Sequence, residues 1–302
     1  MPAWHDPWSS FPRTGTPAAP LTGPFPFRGF LSAAWEHRSS AEAELHLAAS
    51  GDSGVAVAAA EGHITFVGEG NLTDYHAPVG DEALELFTEL LADRPGRTFR
   101  FDSLPAEAVS VVTEALKRIG ATHTISEHAA TAVLDLPDSF DQWLASIGKK
   151  ERHEVRRKRR RFDEAFGEAT IVEGRSDLLP AFCSMHRSAD GDKGSFMTNR
   201  MVSFFKALLK EADATIHLLE CDGRPRAGAF GWETDDGYFY YNSALDREAL
   251  SASPGVVLFT TLIEYQIERG AAVVDFLKGD ETYKYRHGAR RRPLYAVEGV
   301  LL

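Results

Sequence analysis

Two things are scarce in this 302-residue chain: cysteine and long apolar runs. The only cysteines, Cys183 and Cys221, lie far apart in sequence. That excludes a disulfide framework and fits a reducing compartment, so the cytoplasm is the expected location. No apolar run approaches the roughly 18 residues of a transmembrane helix, and no membrane span is expected. The first residues are rich in proline and aromatics but lack the basic start and apolar centre of a secretory signal. Residues 1–29 therefore read as an extended arm. Positive charge is also short: 33 Lys and Arg against 44 Asp and Glu give a net charge of −11. General nucleic-acid binding is a poor fit to that balance. The deficit is uneven, because residues 149–161 hold nine Lys or Arg and two Glu, which makes this stretch +7 and the remainder −18.

Several motifs are missing too. There is no Walker loop and no dinucleotide fingerprint. Cys183 and His186 stand at helical i,i+3 spacing, but no second ligand pair follows, so no metal is expected. Gly51-Asp52-Ser53-Gly54 has the letters of a serine-protease nucleophile loop, yet it falls in a hairpin turn with nothing to order a histidine and aspartate around Ser53.

What is present reads as α/β. Strands at 43–50 and across 54–67 flank turns. Residues 80–92 place Leu84, Phe87, Leu90 and Leu91 at helical spacing. A strand at 97–101, a helix from Pro105 to Gly120, and two strands at 121–128 and 131–137 complete a first unit, residues 30–136. Ser139 opens a helical region that Gly148 interrupts. Then come a strand at 169–174 and helices at 176–189 and 199–212. Three strands joined at Asp222-Gly223 and Asp235-Asp236-Gly237 form a meander. A helix at 254–269, a strand at 272–277, a turn and a final strand close a second unit, residues 137–302.

The segment from Ser253 to Gly288 carries the candidate chemistry. Ser253 suits a helix N-cap, Pro254 the first helical position, and Gly255 lets a ligand approach the backbone beside Val256. Free amides there attract anions; the plain alternative is an ordinary capped helix. The preceding strand, with Tyr240, Tyr241 and Asn242, would deliver a ligand to that point. Asp275 sits inside an apolar strand, where a carboxylate needs a partner or a function. Lys284 between Tyr283 and Tyr285 either stabilises developing negative charge or is a surface lysine with its stem packed. In the basic run, Arg152, Arg156 and Arg159 share one helical face, while Val155, Phe162 and Phe166 form an apolar seam. That face is either solvated or a docking strip for an acidic ligand.

In order, WLASIGKKERHEVRRKRRRF, YFYYNSALDREALSASPGVVLFTTLIEYQIERG and VVDFLKGDETYKYRHG resemble the acetyltransferase-like domain of the CelD cellulose-biosynthesis type. That group belongs to the GNAT acyltransferase superfamily and is related to the Fem peptidyltransferases. The resemblance covers about residues 138–290, and Tyr75 in NLTDYHAP looks like an Asp-Tyr loop of the N-terminal half, a candidate substrate contact along with Arg152 and Arg156. It implies two tandem GNAT-like units, each a mixed, mostly antiparallel sheet flanked by helices. It also implies acyl transfer from acyl-CoA, chiefly acetyl-CoA, to an amine of a small molecule, glycan or peptide. Ser253, Pro254 and Gly255 fall where that family places its pyrophosphate-binding helix start, although the usual Arg/Gln-x-x-Gly-x-Gly/Ala loop is absent. Tyr283-Lys284-Tyr285-Arg286-His287-Gly288 follows the Phe-Lys-x-x-Phe-Gly pattern of the Fem branch, which uses aminoacyl-tRNA. The expected mechanism gives the oxyanion to Lys284 or to a strand amide near Tyr240–Asn242, the base role to Asp275 or Glu281, and the proton for the leaving thiolate to Tyr283. The other classes are a tRNA-dependent transferase and a non-catalytic binder of a polysaccharide or carrier.

Overall fold

The computed structural model describes residues 6–68 and 71–302. The first five residues of the expected arm, and Gly70 at the start of the Asp-Tyr loop, lie outside them. Contacts divide the chain into two units, Met1–Thr131 with Arg292–Leu302, and Ala132–Arg291.

The first unit contains α1 (Arg28–Arg38), β1 (Glu44–Ser50), β2 (Ser53–Ala60), β3 (His63–Phe66), α2 (Ala83–Ala92), β4 (Thr98–Pro105), α3 (Ala106–Arg118) and the start of β5 (Thr122–Asp135). β1 and β2 form a hairpin from Glu44↔Ala59 to Ser50↔Ser53. Gly51, at φ +57°, turns it. The Ser53 hydroxyl accepts a hydrogen bond from the Glu82 N–H at 3.2 Å, a structural task. Phe66, Phe87, Phe99 and Phe101 form the aromatic centre of this core. The arm is not a loose extension. Trp8, Phe11 and Phe25 are buried, and Phe25 packs edge-on against Phe30 and Tyr75. α1 follows it, a helix that the proline-rich context hid. β5 is one strand of 14 residues where two were expected.

The second unit contains α4 (Phe140–Ser146), α5 (Lys149–Phe166), β6 (Thr170–Gly174), α6 (Leu179–Arg187), α7 (Asp192–Phe196), α8 (Asn199–Glu211), β7 (Thr215–Cys221), β8 (Arg224–Thr234), β9 (Gly237–Leu245), a 3₁₀ turn (Arg247–Ala252), α9 (Pro254–Glu268), β10 (Val273–Lys278) and α10 (Thr282–Arg286). Ser139 caps α4 by accepting from the Gln142 N–H at 3.3 Å. Gly148 then separates α4 from α5. Val155 and Phe162 are the buried seam of α5, and Arg159 pairs with Glu264 of α9 at 2.6 Å. Strand order here is β5-β10-β9-β8-β7-β6. β6 to β9 pair antiparallel, and β9 and β10 pair parallel. The chain is thus a mixed α/β fold of sheet flanked by helices. The last strand, β11 (Arg290–Val300), was expected to close the second unit. From Arg292 it clusters with the first, running antiparallel to β4 from Leu294↔Pro105 to Val300↔Thr98.

Candidate active site

Two local irregularities build the site. The parallel pairing of β9 and β10 runs through Val274↔Tyr238 and Asp275↔Phe239. Beyond it, Tyr240–Ser243 of β9 and Phe276 and Lys278 of β10 line the walls of a cleft of about 410 Å³. β9 also carries a bulge: Phe230 faces Asn242 while Gly231 faces Tyr240, which leaves Tyr241 as the extra residue. A bulge breaks the strict alternation of a strand. This is how four successive residues, Tyr240 to Ser243, reach one cleft. His186 of α6, Asp192, Lys193 and Phe196 of α7, and Glu281, Tyr283 and Lys284 complete the lining.

A second cleft of about 320 Å³ adjoins the head of α9. It is lined by Ser253, Pro254, Gly255 and Val256, with Leu245, Leu250, Phe259 and His287. Tyr240, Ser243 and Tyr283 line both clefts. The helix start therefore borders a cleft. Its amides are few. Pro254 has no N–H, and the N–H groups of Val256 and Val257 turn back to the Ser253 carbonyl at 3.0 and 3.3 Å. A Cβ on Gly255 would meet only Leu245 methyls, at 3.4 and 3.5 Å. Ser253 is left-handed at φ +62°, and so is the buried Leu277 at φ +57°. Non-glycine residues in this region cost about 1–3 kcal/mol and cluster at functional sites.

The protonation states follow from burial. Tyr283, 43% exposed at the cleft but with its ring against Phe259, is pushed up to about 12 by partial desolvation and the Glu281 carboxylate, so it carries its proton at neutral pH. Burial also raises the Tyr240 phenol, against the Ser243 hydrogen bond. His186 is buried and held below its ordinary 6.5, first by burial and then by the Lys193 charge. Its Nε2 lies 3.1 Å from the Asn242 Oδ1. Burial lowers Lys193 as well. The cleft thus combines a carboxylate, a protonated phenol and a neutral imidazole.

The expected residues divide. Tyr240, Tyr241, Asn242, Ser253, Pro254, Gly255, Val256, Glu281 and Tyr283 line one or both clefts. Asp275 does not: strand alternation sends it to the face opposite Phe276. It is fully buried, and its Oδ1 accepts the Leu277 N–H at 2.8 Å, holding the left-handed turn. Lys284 borders the cleft, but its ammonium faces inward. It donates to the carbonyls of Phe276, Lys278 and Gly279 at 3.0, 3.2 and 3.2 Å and pairs with Glu281 at 2.9 Å. Four oxygens for three N–H bonds leave no donor for an oxyanion. Lys284 clasps the β10–α10 connection. Tyr75 is buried in the first unit, bonded to the Thr131 hydroxyl at 2.6 Å under the Arg292 guanidinium. Arg152 donates to the Leu144 and Ala145 carbonyls at 3.1 Å, which closes the end of α4. Arg156 is exposed. The sequence argument missed His186, Lys193 and Ser243. His186 was weighed only with Cys183 as a metal pair, and the bulge that brings Asn242 to it leaves no sequence signature.

Residues 149–285 match the family model of the acetyltransferase (GNAT) domain. That span runs from α5 into α10 and includes every residue named on the cleft walls but His287. No curated protein matches the chain. Solved structures resemble it along most of its length. A conserved protein of unknown function from Bacteroides thetaiotaomicron is 12% identical, with 90% of this chain and 89% of that one covered and a TM-score of 0.62. FemX is 13% identical, with 92% of each chain covered and a TM-score of 0.61. The C-terminal domain of a protein named as a lysylphosphatidylglycerol synthetase from Agrobacterium fabrum is 13% identical, with 89% and 90% covered and a TM-score of 0.57. At these identities the likeness is one of fold. The GNAT match adds acyl transfer as the general chemistry.

Proposed function

We propose that the chain is a CelD-like N-acyltransferase that moves an acyl group from acyl-CoA, with acetyl-CoA the first donor to test, to an amine. The observation that carries this reading is the meeting of two clefts at Tyr240, Ser243 and Tyr283, one of them running to the head of α9. The α9 cleft suits the thiol-bearing arm of CoA: its walls are apolar at Leu245, Leu250, Val256 and Phe259, with hydroxyls at Ser243 and Ser253. The Gly255 N–H and the α9 dipole would face the diphosphate. Exposed Arg156 would supply positive charge, since α5 packs on α9. With so few amides, more of the donor affinity comes from the apolar arm than in a glycine-rich phosphate loop.

In this reading the amine acceptor enters the β9–β10 cleft. Glu281 takes the proton that the amine sheds, directly or through water. Backbone N–H groups of the Tyr240–Asn242 bulge receive the oxyanion in place of Lys284. Tyr283 gives its proton to the leaving sulfur. One amide bond forms and one thioester bond breaks, and holding both reactants supplies much of the rate. His186, neutral and tied to Asn242, orients the bulge.

A second reading is a Fem-like transferase using aminoacyl-tRNA. The basic helix α5 favours it, with Arg156, Arg160 and Arg161 exposed. Thermal shifts with acetyl-CoA, longer acyl-CoAs and charged tRNA separate the two. A ligand at 100 times its Kd adds about 2.7 kcal/mol of stability. Stabilisation by an acyl-CoA supports the first reading, and stabilisation by charged tRNA alone the second. No shift with any of them removes both and leaves a non-catalytic binder.

A further inference from the structure

Outside either cleft lining, Glu173 of β6, His217 of β7 and Glu233 of β8 bring one ligand atom each within 4.8 Å of the others. We propose that this trio is a zinc-type divalent-cation site that staples the edge strand β6 to its neighbours. Two carboxylates alone would not argue for this. His217 does, because it is fully buried and its Nε2 has no hydrogen-bond partner. That atom lies 3.4 Å from Glu233 Oε1, within ion-pair reach but out of line for a hydrogen bond. The gap is long for a hydrogen bond. It matches the roughly 3.3 Å edge of a tetrahedron with metal–ligand bonds near 2.05 Å. Glu173 is paired with His217 across the β6–β7 ladder and is half exposed, so a side-chain rotation can close the remaining distance.

The surroundings supply the second layer such a site needs. His217 Nδ1 lies 3.2 Å from the Tyr238 hydroxyl. If Nδ1 carries the proton and donates it there, Nε2 is left as a bare lone pair. Arg269 holds the outer oxygens, Glu233 Oε2 at 2.9 Å and Glu173 Oε2 at 3.8 Å. Tyr265 donates to Glu173 Oε2 at 2.7 Å, and Gln266 to Glu233 Oε1 at 2.9 Å. Two carboxylates and one imidazole face a single guanidinium, a donor set of the kind that holds a dication. Three protein donors leave a fourth position for water. Arg269 is both organiser and competitor, which sets an expectation that an ordinary ion-pair network does not share.

The test is Zn(II) titration of the chelator-treated full chain by calorimetry, with Co(II) absorption as a second readout. The expected result is one Zn(II) per chain, a raised Tm, and visible Co(II) bands of a tetrahedral site. Glu173→Gln, at a half-exposed position that does not endanger folding, weakens binding at least about tenfold. Arg269→Gln tightens it. Absence of Zn(II) binding overturns the proposal. So does binding that Glu173→Gln leaves unchanged, which would place the ion on exposed histidines elsewhere. Either failure leaves the acyl-transfer reading intact, because none of the three residues lines a cleft.

Discussion

Replacing Lys284 with Met separates a structural lysine from a catalytic one. The Lys284 side chain is only 5% exposed, and its ammonium gathers three carbonyls and the Glu281 carboxylate. Methionine keeps the stem and removes the charge. Three carbonyls then lose their donor, and Glu281 loses its partner. A hydrogen bond to a charged group is worth about 1.5–3 kcal/mol. Three of them set an upper bound that water entering from the cleft reduces. Glu281 is 56% exposed, so its lost pairing adds little, and the three buried carbonyl bonds, reduced by that water, leave about 3–5 kcal/mol. For a unit of this size each kcal/mol moves Tm by about 2–4 °C, so the fall should be about 6–20 °C. Thermal denaturation monitored by tryptophan fluorescence reads it, since Trp143 of the same unit donates to the His287 carbonyl at 3.1 Å, just past the clasp. Wild-type stability combined with lost turnover would refute the clasp and return Lys284 to the oxyanion.

Further expectations follow from the same geometry. Tyr283→Phe should cut kcat by about 10²–10⁴ with little change in donor binding, as loss of a general acid does, measured by steady-state kinetics. Gly255→Ala should fold and bind donor, because its Cβ meets only Leu245 methyls at 3.4 and 3.5 Å; Gly255→Glu should block donor binding by placing a carboxylate at the helix head. Stability should fall as pH drops below about 6.5. His186 and His287 are both held below that ordinary value, so the unfolded chain binds protons there that the folded one refuses. His186→Gln should flatten that slope in urea titrations at pH 5 to 7.

The sequence made most of the second unit legible because its signals were local. The Asp222-Gly223 turn, the Ser139 cap, the Gly148 break and the Pro254 helix start all act within a few residues. Ser253, Pro254 and Gly255 marked the head of α9 as a candidate with an ordinary capped helix as the alternative; the helix does start at Pro254, though Ser253 makes no side-chain cap. What it hid depends on distant partners. Asp275 looked reactive because a charge in an apolar strand is costly, and Lys284 because it stands between tyrosines in a Fem-like pattern; here the first meets the Leu277 N–H and the second three carbonyls. Tyr75 looked exposed in a polar loop until Thr131 and Arg292 enclosed it. β5 read as two strands because Ala129 and Ala130, poor strand formers, stand between residues 121–128 and 131–137. The bulge at Tyr241 is a register event between two strands, and no single stretch of residues encodes it.

The central claim is that a thioester lies where Tyr240, Ser243 and Tyr283 join the two clefts. An electron-density map of the chain soaked with acetyl-CoA or a non-hydrolysable analogue tests it most directly. The account predicts density from the head of α9 at Gly255 along β9, with the sulfur beside the Tyr283 hydroxyl. Density in the first unit's cavity, lined by His63, His76, Arg100 and Asp102, with both clefts left empty, would contradict it.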